Sequence, residues 1–175
     1  MRRRHLLTLM HAYAFTLLCL GGLGVAAAFD INEFMGCSCL RLRRAAREAT
    51  RLYDGYLEPT GLGSNQLILL ATLHGASRLG AGVTARALAE HVGADPTTLS
   101  RNLQPLVKRR LIASAADPED GRSRLLQITP KGEAKLREAG PLWRKAQAQM
   151  TAAIGQSRLR ALHGLLDRTA ESLRN

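Results

Sequence analysis

Projected at helical period, Thr97, Arg101, Gln104 and Lys108 share one side of a helix, and Leu99, Leu103, Leu106 and Arg110 share the other. Thr98 and Ser100 complete the polar set. Arginine can fork onto guanine, glutamine onto adenine, and hydroxyls onto phosphates or base edges. The polar side therefore has the chemistry of a major-groove reader. Taken alone it would serve equally well as a solvated helix face. Further along, Arg122 and Arg124 stand at or beside the tip of the turn Asp117-Pro118-Glu119-Asp120-Gly121-Arg122. A two-stranded ribbon there can push arginine into a minor groove, where the potential is strongly negative. Asp120, two residues before Arg122, is placed to hold its guanidinium by a charge-assisted bond.

A second chemistry is that of thiols. Cys37 and Cys39 fall at the start of a helical stretch, where the positive end of the helix dipole favours thiolate. Oxidation by peroxide, or attack on an electrophile, would then act on whatever that helix packs against. Small residues packing at a helix start are the plainer explanation. With Cys19 the cysteines number 3, too few for a disulfide framework, and Cys37 and Cys39 lie too close for an ordinary staple. They have no neighbour at ligand spacing, and His74, His91 and His163 are scattered, so no metal site is expected. There is no phosphate-cradling glycine loop, His-Glu-x-x-His or nucleophile elbow. His91 beside Glu90 reads as a surface helix pair. Neither an enzyme nor a cofactor is expected.

Charge points the same way as the polar face. Of 175 residues, 25 are Lys or Arg and 14 are Asp or Glu, a formal net charge of +11 that favours polyanionic partners. Aromatics are only 4 %, which argues against a base-stacking platform for single strands. Hydrophobic residues make up 46 %, enough for one core and one domain.

Residues 1–34 stand apart. Arg2, Arg3 and Arg4 precede an uncharged run over residues 6–29 that ends in Ala26-Ala27-Ala28. It has three readings: an export signal, a membrane anchor, or an apolar run ahead of a true translation start at Met35. Export would carry a strongly basic chain away from nucleic acid and is disfavoured; an anchor stays open, and the start at Met35 is the favoured reading. A membrane is a partner only if residues 6–29 form a real span. Arginines on both sides leave its orientation open.

The elements that must position the reader follow from periodicity and breakers. Leu42, Ala45, Ala46, Ala49, Leu52, Tyr53 and Tyr56 predict a long amphipathic helix over 35–57, stopped by Glu58-Pro59-Thr60-Gly61. Ser64 is placed to cap a second helix, and 75–82 reads as a loop. A short helix over 84–92 ends at Gly93, and Asp95-Pro96 opens the reader helix toward Arg110. Pro105 removes a backbone bond to the Arg101 carbonyl, which predicts a kink or an early end. Residues 111–116 and 124–128 read as the two strands of a hairpin. Thr129-Pro130 opens a helix toward Ile154 with a bend at Gly140-Pro141, and a last helix over 157–173 carries Leu159, Leu162, Leu165, Leu166 and Leu173. The fold class is mainly α with a small β-hairpin wing, an α+β winged helix-turn-helix with long flanking helices.

Asp120-Gly121-Arg122, followed after five residues by Ile128-Thr129-Pro130-Lys131-Gly132, resembles the wing signature of the MarR family of transcriptional regulators. Ser100-Arg101 matches a pair usual in that family's recognition helix. Leu42-Arg43-Arg44-Ala45-Ala46-Arg47 through Tyr53-Asp54 and Gly61-Leu62 resembles its first helix. The resemblance implies a cytoplasmic, nucleoid-associated bacterial regulator that binds a palindromic double-stranded DNA operator as a homodimer. It implies a DNA-binding lobe over 64–128 and dimerisation helices over 35–57 and 129–173, within a domain spanning 35–173. It further implies repression that is relieved by a small ligand, or by cysteine oxidation at Cys37 or Cys39. A membrane-anchored interaction module that has kept the fold is the rival expectation.

Overall fold

The computed structural model describes residues 34–79, 82–117 and 123–174. Packing divides the chain between Arg43 and Arg44, and the reader, the wing and the later helices all belong to the second unit. Helix α1, Ser38–Leu57, buries only its last residue, Leu57. A 3-10 turn, Glu58–Thr60, follows. Thr60 is buried there because its hydroxyl donates to the Leu57 carbonyl at 2.7 Å and accepts the Leu62 N–H at 3.1 Å. A hydroxyl satisfied on both sides costs little to bury.

Helix α2, Ser64–Arg78, corrects two expectations. Its N-cap is Gly63, not Ser64. The orphan N–H of Ser64 is taken by Asp54 Oδ1 from α1 at 2.6 Å, and the Gly63 N–H goes to Gln66 Oε1 at 3.3 Å. A cap supplied by a residue ten positions away leaves no local signature. The expected loop over 75–82 begins late as well, because α2 runs through Gly75 to Arg78. Burial of Leu67, Leu69, Leu70 and Leu73 outweighs a single glycine near the helix end.

Strand β1, Val83–Thr84, leads into α3, Ala85–Val92, and then into α4, Pro96–Lys108. Strands β2, Ile112–Ala116, and β3, Arg124–Ile128, form the wing. The sheet is antiparallel in the order β1-β3-β2. Val83 faces Leu126 across β1 and β3, while Ile112 faces Ile128 and Ala116 faces Arg124 across the wing. A two-residue strand is too short to show a period, and β1 was not expected. It exists because the outer edge of β3 is open to pair with it.

The core of this lobe joins Leu70 and Leu73 of α2, Leu88 of α3, Leu106 of α4, Leu111 and Ile112, all buried. Full burial stabilises by about 1.5–3 kcal/mol per leucine, so α4 is held by its apolar side. Helix α5, Pro130–Ile154, stays one helix through Gly140-Pro141. Helix α6, Gln156–Ser172, buries Leu159 alone and leaves Leu162, Leu165 and Leu166 exposed. Among the described residues no helix is long and apolar enough to cross a membrane, and residues 6–29 lie outside them.

Candidate nucleic-acid interface

The reader is built at its two ends. Thr84 caps α3 by accepting the Ala87 N–H at 3.1 Å. Gly93 ends α3 in the left-handed region, at φ 65°, where a side chain would be strained. The Ala94 N–H then closes on the Ala89 carbonyl at 3.0 Å. Asp95 opens α4: its Oδ1 accepts the N–H groups of Thr97 at 3.0 Å and Thr98 at 2.9 Å. The Thr98 hydroxyl donates to Oδ2 at 2.5 Å. That hydroxyl bond, with the Thr98 and Thr97 N–H groups, holds the Asp95 carboxyl below its ordinary value. Pro96 takes the first helical position, as expected.

Along α4 the expected division holds. Leu99, Leu103 and Leu106 are buried, and Thr97, Ser100, Arg101, Gln104 and Lys108 are exposed. Those five side chains make no hydrogen bond or ion pair among the described residues. Arg110, grouped with the leucines by periodicity, is instead exposed and leaves the helix at φ 57°. Pro105 does not end the reader early, since α4 continues to Lys108 and the Arg109 N–H closes on the Pro105 carbonyl at 3.0 Å. The lost bond to the Arg101 carbonyl is offset by Leu106, fully buried one residue on.

Thr98 has a different place from the other candidates. Its hydroxyl proton is committed to Asp95, and its carbonyl accepts Asn102 Nδ2 at 2.9 Å. In the structure its side chain supports the start of the helix.

At the far end three segments converge. Arg109 Nη1 donates to the Gly61 carbonyl at 2.8 Å, and Lys131 Nζ donates to the Arg109 carbonyl at 3.0 Å. The Thr129 hydroxyl donates to the Arg110 carbonyl at 2.8 Å and accepts the Gly132 N–H at 3.0 Å, capping α5. Gly132 is required by closeness. A Cβ there would stand 2.2 Å from the Leu111 carbonyl oxygen and 2.7 Å from Ile128 Cγ1. The Thr-x-x-Gly sequence thus has a physical reason: the threonine ties the reader's end to α5, and the glycine lets α5 cross the root of the wing.

Arg124, the first residue of β3, turns back along the wing. Its Nε donates to Ser114 Oγ and its Nη2 to the Ser114 carbonyl, both at 2.8 Å. Two committed donors fix the guanidinium beside α4. Ser100, Gln104 and Lys108 of α4 meet Ser114 and Arg124 of the wing along one groove of about 1330 Å³. Its floor includes Leu103 and Leu126, and Arg174, which sequence reasoning missed, also reaches it. Arg86 borders the same groove but is paired with Glu90 at 3.0 Å. Asp120 and Arg122 lie outside the described residues. Cys37 is half-buried and Cys39 exposed, both with free thiols.

A second concavity, of about 590 Å³, lies between α1, α2 and α5. Tyr53 and Trp143 form aromatic walls, with Leu67, Ile68 and Leu136 between them. Burial raises the Tyr53 phenol above its ordinary value, and its hydroxyl donates to Gln147 Oε1 at 2.5 Å. Sequence patterning gave no hint of this space, whose lining comes from three separate helices.

A sequence model of the MarR family matches residues 60–123. No curated protein matches in sequence. The solved structure of the M. tuberculosis transcriptional regulator MosR in complex with DNA is 36 % identical, with a TM-score of 0.67 over 79 % of this chain and 99 % of that one. A probable transcriptional regulator from Pseudomonas aeruginosa is 27 % identical, with a TM-score of 0.66 over 75 % and 96 %. A mutant MarR from E. coli complexed with operator DNA has a TM-score of 0.68 over 81 % and 99 %, and at 23 % identity it speaks to the fold alone.

Proposed function

Because the chain belongs to the MarR family of winged-helix transcriptional regulators, we propose that it is a homodimeric repressor that binds a palindromic double-stranded operator and releases it when a small molecule enters the pocket beside α2. The observation that carries the DNA-reading role is the row of Thr97, Ser100, Arg101, Gln104 and Lys108, exposed and without side-chain partners among the described residues, on a helix fixed at both ends. Arg101 supplies two donors and Gln104 a donor and an acceptor for base edges, and Lys108 with Arg124 supplies positive charge for phosphates. From the sequence alone, Arg122 is assigned to the minor groove with Asp120 as its support, both lying outside the described residues. The protein would act in the cytoplasm, on the chromosome.

Dimerisation is supported by α6, whose Leu162, Leu165 and Leu166 lie uncovered at 38 %, 56 % and 40 % exposure. Leucines in a stripe are favourable to bury, and a two-fold partner covers them without further sequence. Residues 35–57 and 129–173 are the segments assigned to that interface, and residues 64–128 form the DNA-binding lobe. Two readers related by a two-fold axis meet half-sites one helical turn apart.

The deciding experiment is selection of bound sequences from a random duplex library, with the wild type and Arg101→Ala. A palindromic motif for the wild type, relaxed at one position per half-site in the variant, is the expected result. Losing a bidentate contact costs about 1–3 kcal/mol of discrimination. The same motif from both proteins would remove Arg101 from base reading, and no motif at all would end the proposal.

A second reading concerns release by oxidation, and the free state of both thiols, with Cys39 exposed, favours it. Peroxide treatment would then release DNA from the wild type but leave the Cys37→Ser, Cys39→Ser double variant bound. Equal release from both proteins would place sensing elsewhere.

A further inference from the structure

Taking the pocket between α1, α2 and α5 as the effector site, as above, we propose that it selects an uncharged aromatic ligand of two or three rings bearing a hydroxyl or N–H donor, and rejects aromatic carboxylates. The cavity of about 590 Å³ is of a size that takes a drug-sized molecule. Its lining among the described residues contains no Asp, Glu, His, Lys or Arg. The rings of Tyr53 and Trp143 and the side chains of Leu67, Ile68 and Leu136 offer stacking and dispersion. A carboxylate placed there would be desolvated without a partner cation.

One feature could have welcomed an anion, the N-terminus of α2, because Ser64 and Asn65 border the cavity. Part of that seat is already taken. Asp54 Oδ1 holds the Ser64 N–H at 2.6 Å, and Gln66 Oε1 holds the Gly63 N–H. A second carboxylate at this helix start would meet the charge of Asp54. The polar groups that remain suit a neutral donor. The Tyr53 hydroxyl spends its hydrogen on Gln147, so its oxygen can only accept. Thr50 and Asn65, whose side chains form no hydrogen bond among the described residues, also border the space.

The test uses the full chain and one matched pair of probes, the methyl ester of a hydroxynaphthoic acid and the free acid, ionised at neutral pH. Calorimetry measures binding, and a gel shift on the selected operator measures release. The ester is expected to bind at least about tenfold more tightly than the acid and to release DNA at lower concentration. Ala71→Trp, an exposed position on the pocket wall, should abolish ester binding. Asp54→Asn keeps an acceptor for Ser64 but removes the charge, and should narrow the ester's advantage. If the acid binds as well as the ester and Ala71→Trp abolishes both, the charge rule falls while the pocket remains the effector site. If neither probe binds, or binding survives Ala71→Trp, the assignment of the pocket falls with it. An ester-to-acid ratio unmoved by Asp54→Asn would overturn the part given to Asp54.

Discussion

Replacing Gly132 with alanine tests whether the crossing of α5 over the wing root is as tight as the geometry requires. The added Cβ would lie 2.2 Å from the Leu111 oxygen, against 3.4 Å for the start of ordinary contact, an overlap of about 1.2 Å with backbone. Ile128 Cγ1, at 2.7 Å, closes the other side. Leu111 is itself buried and its oxygen accepts from Thr129, so the carbonyl cannot swing away cheaply. Overpacking of this kind costs about 1–3 kcal/mol, and more where backbone must move. Up to about 1 kcal/mol returns from the better helix propensity of alanine. A net loss of about 2 kcal/mol should lower Tm by roughly 4–8 °C in a chain of this size. Gly75→Ala is the paired control. That glycine is also helical, but its added Cβ has nothing within 4 Å, so about 0.5–1 kcal/mol of stabilisation is expected. Calorimetric melting of both variants, with operator affinity measured alongside, decides the matter. A Gly132→Ala protein that melts at or above the wild-type temperature with unchanged affinity would refute the reasoning.

Further tests follow from the ends and faces of the helices. Thr98→Val removes the hydroxyl bond to the Asp95 cap while leaving its two backbone bonds, and should lower Tm slightly yet return the same operator motif as the wild type; a shifted motif would restore Thr98 to base reading. Because hydrogen bonds hold the folded Asp95 carboxyl below its ordinary value, its contribution is present above the unfolded carboxylate range and fades as pH falls through the lowered folded value. Asp95→Asn should therefore flatten the acid limb of the stability profile, and an unchanged limb would remove Asp95 from it. Leu166→Glu on α6 should give a single subunit by ultracentrifugation and weak operator binding, whereas an intact dimer would locate the interface elsewhere.

Which parts were legible in the sequence depends on how local their causes are. Asp95-Pro96 and Thr129-Pro130 announce helix starts because the capping oxygen and its N–H partners lie within three residues. Gly93 announces a stop because one residue adopts the special φ. The alternation of leucines with Thr97, Arg101, Gln104 and Lys108 gave the reader its two faces before any fold was known. The features that escaped are assembled over distance. Asp54 caps α2 from α1, and Arg124 folds back onto Ser114 ten residues away. The strand Val83–Thr84 exists only because β3 offers an edge. The cavity beside Trp143 belongs to three helices at once. Thr98 is the instructive case, since its type and face suited base contact while its neighbour Asp95 claims the hydroxyl.

A knot of bonds joins Gly61, Arg109, Arg110, Thr129 and Lys131. It welds the tail of the reading helix to the foot of α5, so a tilt of α5 carries the reader along as a lever carries its tip. In the proposed dimer, ligand release would then appear as a mismatch in the separation of two otherwise intact readers, and operators with a lengthened or shortened spacer would rank differently for the loaded and empty protein.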